Sequence, residues 1–183
     1  FLLTVVTIRL TPLAADANFT NYRLLSSRCE GGVWGQPAPL PFASGLPVLE
    51  ADPFLTLDGK SLYYISTRHD PKHEDFDIYV VDRLPNGAWG EPSRLPKPVS
   101  SPASELLPRQ DAHGHLYFGS AREGGHGQGD IYVATQEAGG QWGVANSPLM
   151  RPTRASISRR NRVYAVTPVR DGTAAWISRT RPR

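Results

Sequence analysis

The densest chemistry in the chain lies in the segment RHDPKHEDFD, where His69, Asp70, His73, Glu74, Asp75 and Asp77 stand within nine positions. Imidazole and carboxylate at such spacing are donor types for a divalent ion. They are equally the charged tip of a loop that recognises a partner. The corresponding loop one unit later keeps only Glu123, His126 and Asp130 among glycines, and Pro71 removes any assumption that His69 and His73 share a helical face. The sequence therefore assigns no metal and no cofactor, and reads His69, Asp70, His73, Glu74 and Asp75 as binding residues on a solvated hairpin tip. Ser66 and Ser120 lack a G-x-S-x-G elbow and a base arrangement, so they read as strand-end serines bonding to backbone. Cys29, the one cysteine, precedes the Gly31-Gly32 turn without a surrounding motif and cannot form an internal disulfide. No residue is assigned a catalytic role.

These groups are positioned by a repeat. Glu50 and Pro53 recur as Glu105 and Pro108 at 55 residues, Ser66 and Arg68 as Ser120 and Arg122 at 54, and Asp77-Ile78-Tyr79-Val80 as Asp130-Ile131-Tyr132-Val133 at 53. Trp34, Trp89 and Trp142 close successive units, each followed by Gly. Arg68 with Asp77, and Arg122 with Asp130, flank one hairpin loop in each unit. Strand pairing is expected to bring each Arg to its Asp as an architectural pair.

A period near 54 made of short strands marks stacked β units. SLYYIS and HLYFGS are aromatic and apolar runs behind DG or HG turns, while DIYVV and DIYVA are β-branched. The segments between them are rich in Gly, Pro, His and Asp, as hairpin loops are. A third short strand follows each Trp-Gly, and DPFLTL or ELLPRQ supplies a fourth. The expected fold is all-β, with units of four antiparallel strands at roughly 1–40, 50–95, 105–148 and 155–183, only the middle two complete. All belong to one domain spanning 1–183, with the three tryptophans packed between neighbouring units.

The order E-x(2)-P, DG, LYF-x-S-x-R, Gly-rich loop, DIYV and WG-x-P resembles the WD-like propeller repeats of TolB-type proteins of the bacterial envelope, over about Trp34 to Pro148. That resemblance implies β-propeller blades, a periplasmic or extracellular location, and a non-catalytic scaffold that binds a protein or a glycan. Propellers also serve as accessory domains of prolyl-oligopeptidase-type hydrolases and as glycosidases. LTLDGKSLYY is similar to the Asp-box turn of sialidases, although Trp is absent at its usual end. No nucleophile-elbow domain and no paired catalytic carboxylates support either enzyme. Four blades either close in a small ring or form part of a larger propeller, and Phe1 in place of an initiator Met favours the second.

The ends are read more coarsely. FLLTVVTIRL with Ala15-Asp16-Ala17 has the form of a secretory leader remnant, or, shifted by 55, lies as a strand over GKSLYYIS; Arg9 favours the strand. Neither gives a membrane span. The net charge of +3 comes mostly from the tail, where nine arginines between Arg151 and Arg183 face the single acid Asp171. Such a skew attracts phosphate-rich partners, but no stacking-aromatic pattern accompanies it, so nucleic acid is set aside. In that tail Ala174 stands where the other units carry Asp.

Overall fold

The computed structural model describes residues 23–125 and 129–143, with the strand backbone of Thr4–Ile8, Thr167–Pro168 and Ala174–Ala175. In chain order the strands are β1 (Thr4–Ile8), β2 (Leu24–Glu30), β3 (Val33–Trp34), β4 (Ala38–Pro39), β5 (Glu50–Leu55), β6 (Ser61–Ser66), β7 (Asp77–Asp82), β8 (Ser93–Arg94), β9 (Glu105–Gln110), β10 (Leu116–Ser120), β11 (Asp130–Ala134), β12 (Thr167–Pro168) and β13 (Ala174–Ala175). Among the described residues there is no helix, and no helix long and apolar enough to cross a membrane. The sheets are antiparallel. The first joins β1, β2, β3 and β4, the middle one runs β5-β6-β7-β8, the third runs β9-β10-β11, and β12 pairs with β13; among the described residues no sheet closes.

The period survives in the register. Tyr79 stands opposite Arg94 and Val80 opposite Ser93 on β7 and β8. On β2 and β4 the same pairing joins Leu25 to Pro39 and Ser26 to Ala38, 54 or 55 residues earlier. The single bridges Arg83 to Trp89 and Gln136 to Trp142 likewise coincide at a shift of 53. Thr4–Ile8 pairs with β2 as the strand reading of the first segment expects.

The recurring E-x(2)-P is a bulge. The ladder from β5 to β6 slips between Ala51 and Phe54, and that from β9 to β10 slips between Leu106 and Arg109. Asp52 and Leu107 take left-handed backbone there, at φ 50° and 55°. Pro53 and Pro108, which have no N–H to give, occupy the break in the ladder where a donor is not required.

SLYYIS and DIYVV are nearly continuous apolar runs because the middle sheet is covered on both faces. Side chains alternate along a strand, so Leu62, Tyr64, Tyr79 and Val81 pack with Leu24 and Leu40 of the first unit. Tyr63, Ile65 and Ile78 pack on the other side with Leu116, Phe118, Tyr132, Ala134 and Trp142 of the third. Phe118 and Tyr132 stack at 5.9 Å between ring centroids.

Two expectations need correction. Arg68 pairs with Glu50 at 2.5 Å instead of Asp77, and Arg122 pairs with Glu105 at 3.0 Å. Antiparallel pairing places Glu50 opposite Ser66 and Glu105 opposite Ser120. An arginine two residues beyond each serine is therefore within reach of the buried glutamate. Each guanidinium also reaches the connector before its own sheet, Arg68 to the Phe42 carbonyl and Arg122 to the Pro98 and Val99 carbonyls.

The tryptophans, for their part, are not equivalent. Trp142 is 8% exposed, Trp89 is half-buried, and Trp34 is 46% exposed. The Arg83 guanidinium lies 4.2 Å over the Trp89 ring, whereas the position facing Trp34 across its ladder is Cys29, too short to cover an indole. Residues 144–148 of the third unit, and most of 155–183 including the arginine tail, lie outside the described residues.

Candidate functional site

The connection from β6 to β7 is a closed, self-bonded loop. Asp70 organises it: Oδ1 accepts from the Lys72 amide at 3.1 Å, and Oδ2 accepts from the amides of Glu74 at 2.8 Å and Asp75 at 3.1 Å. Those three amides, that of Glu74 first, hold the Asp70 carboxyl down at about 2. His73 takes left-handed backbone at φ 56°, and its Nδ1 lies 3.3 Å from the Thr67 carbonyl. Asp70 and His73 thus build the loop, while Glu74 is left on its surface.

His69 and Asp75 turn inward to Asp77, the first residue of β7. His69 Nε2 stands 2.7 Å from Asp77 Oδ2 and 3.4 Å from Asp75 Oδ2. Asp77 is 0% exposed and also meets the Arg94 guanidinium from β8. Asp75 Oδ1 accepts from Ser104 Oγ at 2.7 Å, and Ser104 Oγ accepts from the Phe76 amide at 3.0 Å, which ties the loop to the segment entering β9.

The far wall is the start of the third unit. Glu105 is fully buried and accepts from Ser101 Oγ at 2.6 Å, the Ser101 amide at 3.0 Å and Ser120 Oγ at 3.0 Å. Burial nevertheless pushes its carboxyl up to about 7. The neighbouring Asp77 carboxylate adds to that rise, and the hydrogen bonds from Ser101 and Ser120 oppose it. The previous unit offers no such neighbour, because Arg23 stands in the place of Asp77 54 residues earlier.

Between these walls lies an open depression lined by His69, Asp70, Lys72, Glu74, Asp75, Arg94, Ser101 and Ser104, with Pro71, Pro102 and Ala103. Four of the five residues assigned from sequence, His69, Asp70, Glu74 and Asp75, meet there, and His73 does not. Sequence reading missed Arg94, Ser101 and Ser104, which carry no recurring signal, and the two glutamates, whose recurrence at 55 residues pointed to them. Ser66 and Ser120 accept from the amides of Arg68 and Arg122, as expected of strand-end serines. Asp130 is buried beside Gly125, where an added Cβ would press on its carboxylate, so a side chain at that loop position requires Asp130 to shift. Cys29 is a free thiol.

No family model, curated protein or solved structure matches this chain.

Proposed function

We propose that the chain is a binding module of β-propeller type, similar to the TolB-type repeats, which recognises a protein or glycan through the depression between the 69–75 loop and the 101–104 segment and catalyses nothing by itself. One observation carries this reading. The recurring polar residues are consumed in holding sheets together, Arg68 on Glu50 and Arg122 on Glu105, whereas the non-recurring ones are gathered on one open rim. Function that varies while the scaffold stays constant belongs on loops.

The lining mixes His69, Lys72 and Arg94 with Asp70, Glu74 and Asp75 and contains no aromatic ring of Phe, Tyr or Trp. Such a surface suits a polar protein segment carrying both charge signs better than a sugar ring, which rewards a flat apolar platform. A periplasmic or extracellular setting, where TolB-like propellers work, belongs to the same proposal.

The test is a binding screen of peptide and glycan arrays with the wild-type chain and with a chain whose 69–75 loop is replaced by the GGHGQG type. Ligands retained by the wild type and lost by the exchanged chain, with unchanged circular dichroism, support the reading. Ligands that both chains retain equally overturn it, as does hydrolysis of a glycoside or peptide abolished by one serine or carboxylate substitution.

A further inference from the structure

His69 and Asp75 on the rim, with the buried Asp77 beside them, carry a second kind of chemistry. We propose that His69 Nε2, Asp75 and Asp77 form a site for a divalent ion of the zinc class, which enters from the depression and takes the place now held by the Arg94 guanidinium. The inference is independent of what the rim recognises, because ion binding is read on the chain alone.

The geometry fits first. Ligand nitrogen and oxygen atoms stand about 2.0–2.2 Å from zinc, so two of them at octahedral or tetrahedral angles are about 2.8–3.6 Å apart. Here the imidazole nitrogen is 3.4 Å from the Asp75 carboxylate, inside that range, and 2.7 Å from that of Asp77, slightly short of it; the three donor atoms lie within 4.8 Å of one another.

A second observation concerns Asp77. Its side chain is completely buried, yet neither oxygen takes part in an aligned hydrogen bond. His69 Nε2 and the Arg94 guanidinium both stand against its Oδ2. An ion at that oxygen would satisfy Asp77 in a way neither neighbour does.

Charge points the same way. Asp75 and Asp77 bring two carboxylates to this junction against the single guanidinium of Arg94, since Arg122 is engaged by Glu105 and two carbonyls. The Arg94 side chain is 42% exposed and so has room to withdraw into solvent, while Asp75 at 31% and His69 at 15% leave the outer side of the site open to completing water ligands. One imidazole with two carboxylates favours a borderline ion over calcium or magnesium, which prefer all-oxygen shells.

The experiment is isothermal titration of chelator-stripped chain with Zn²⁺, in the wild type and in His69→Ala, Asp75→Asn and Arg94→Met, with circular dichroism on each. The wild type is expected to bind one equivalent, and His69→Ala and Asp75→Asn to lose about tenfold or more in affinity, a scale that even outer-shell partners of metal sites reach. Arg94→Met, which lacks the competing cation, is expected to bind at least as tightly. Should His69→Ala fail to fold, the more exposed Asp75→Asn carries the decision. No binding by the wild type overturns the site, as does binding that Asp75→Asn leaves unchanged. Loss of binding in Arg94→Met overturns the exchange with arginine.

Discussion

Trp34, Trp89 and Trp142 occupy the same place in the repeat, yet alanine at each should cost a different amount. Trp142 sits in the larger core cluster at 8% exposure, and removing a buried Trp costs about 3–5 kcal/mol. Trp89 is half-buried; what it loses is the Arg83 guanidinium 4.2 Å over its ring, worth about 0.5–1 kcal/mol, and the edge contact with Phe42 at 5.8 Å, worth about 0.5–1.5 kcal/mol. With some lost burial the sum is about 2 kcal/mol. Trp34, 46% exposed beside the even more exposed Val33, falls among surface changes of about 0.5 kcal/mol. Urea denaturation followed by circular dichroism gives the three values. At about 2–4 °C per kcal/mol for a chain of this size, Trp142→Ala should lower Tm by about 10 °C and Trp34→Ala by one or two. Three equal losses, or the largest at Trp34, would refute the reasoning, since the repeat position and not the local partner would then decide.

Two further outcomes follow from the carboxyls. Glu105 holds its proton up to about 7 in the folded chain and to the ordinary glutamate range when unfolded, so the folded state binds more protons between about pH 4.5 and 7. Stability measured with a chelator present should fall as pH rises through that window, by at most about 1.4 kcal/mol per pH unit, and Glu105→Gln should flatten the slope; a rise would contradict the assignment. Asp70, held at about 2 by three amides, stays ionised throughout that range. Its support of the loop is present above about pH 4 and lost toward about pH 2. The amide resonances of Lys72, Glu74 and Asp75 should therefore shift only at the acid end, and Asp70→Ala should shift them at neutral pH.

Much of the middle unit was legible. The positions of β6 and β7 follow from SLYYIS and DIYVV, and burial of both faces explains why those runs do not alternate. Four strands between Glu50 and Arg94 are where the repeat puts them. The arginine partners were not legible, because proximity along the hairpin suggested Asp77, while the ladder set by β5 delivered Glu50. His73 was indistinguishable from His69 by type or spacing. Only the left-handed turn at His73, set by the Asp70 cap, sends one ring to Thr67 and leaves the other facing Asp77. Trp34 failed to be buried for a reason located elsewhere, at Cys29, where the next unit carries Arg83.

The central claim is that recurring residues hold the sheets together and non-recurring ones are spared for the rim. It is tested most directly by the unfolding free energy of Arg68→Met. Glu50 has 1% of its side chain exposed and meets Arg68 at 2.5 Å. Methionine would leave that carboxylate buried without its cation and remove the tie to Phe42, a loss of about 3–5 kcal/mol. A loss in that range, with Glu74→Ala on the rim changing stability by less than about 0.5 kcal/mol, is the predicted result. A loss at Arg68 as small as that at Glu74 would contradict the account.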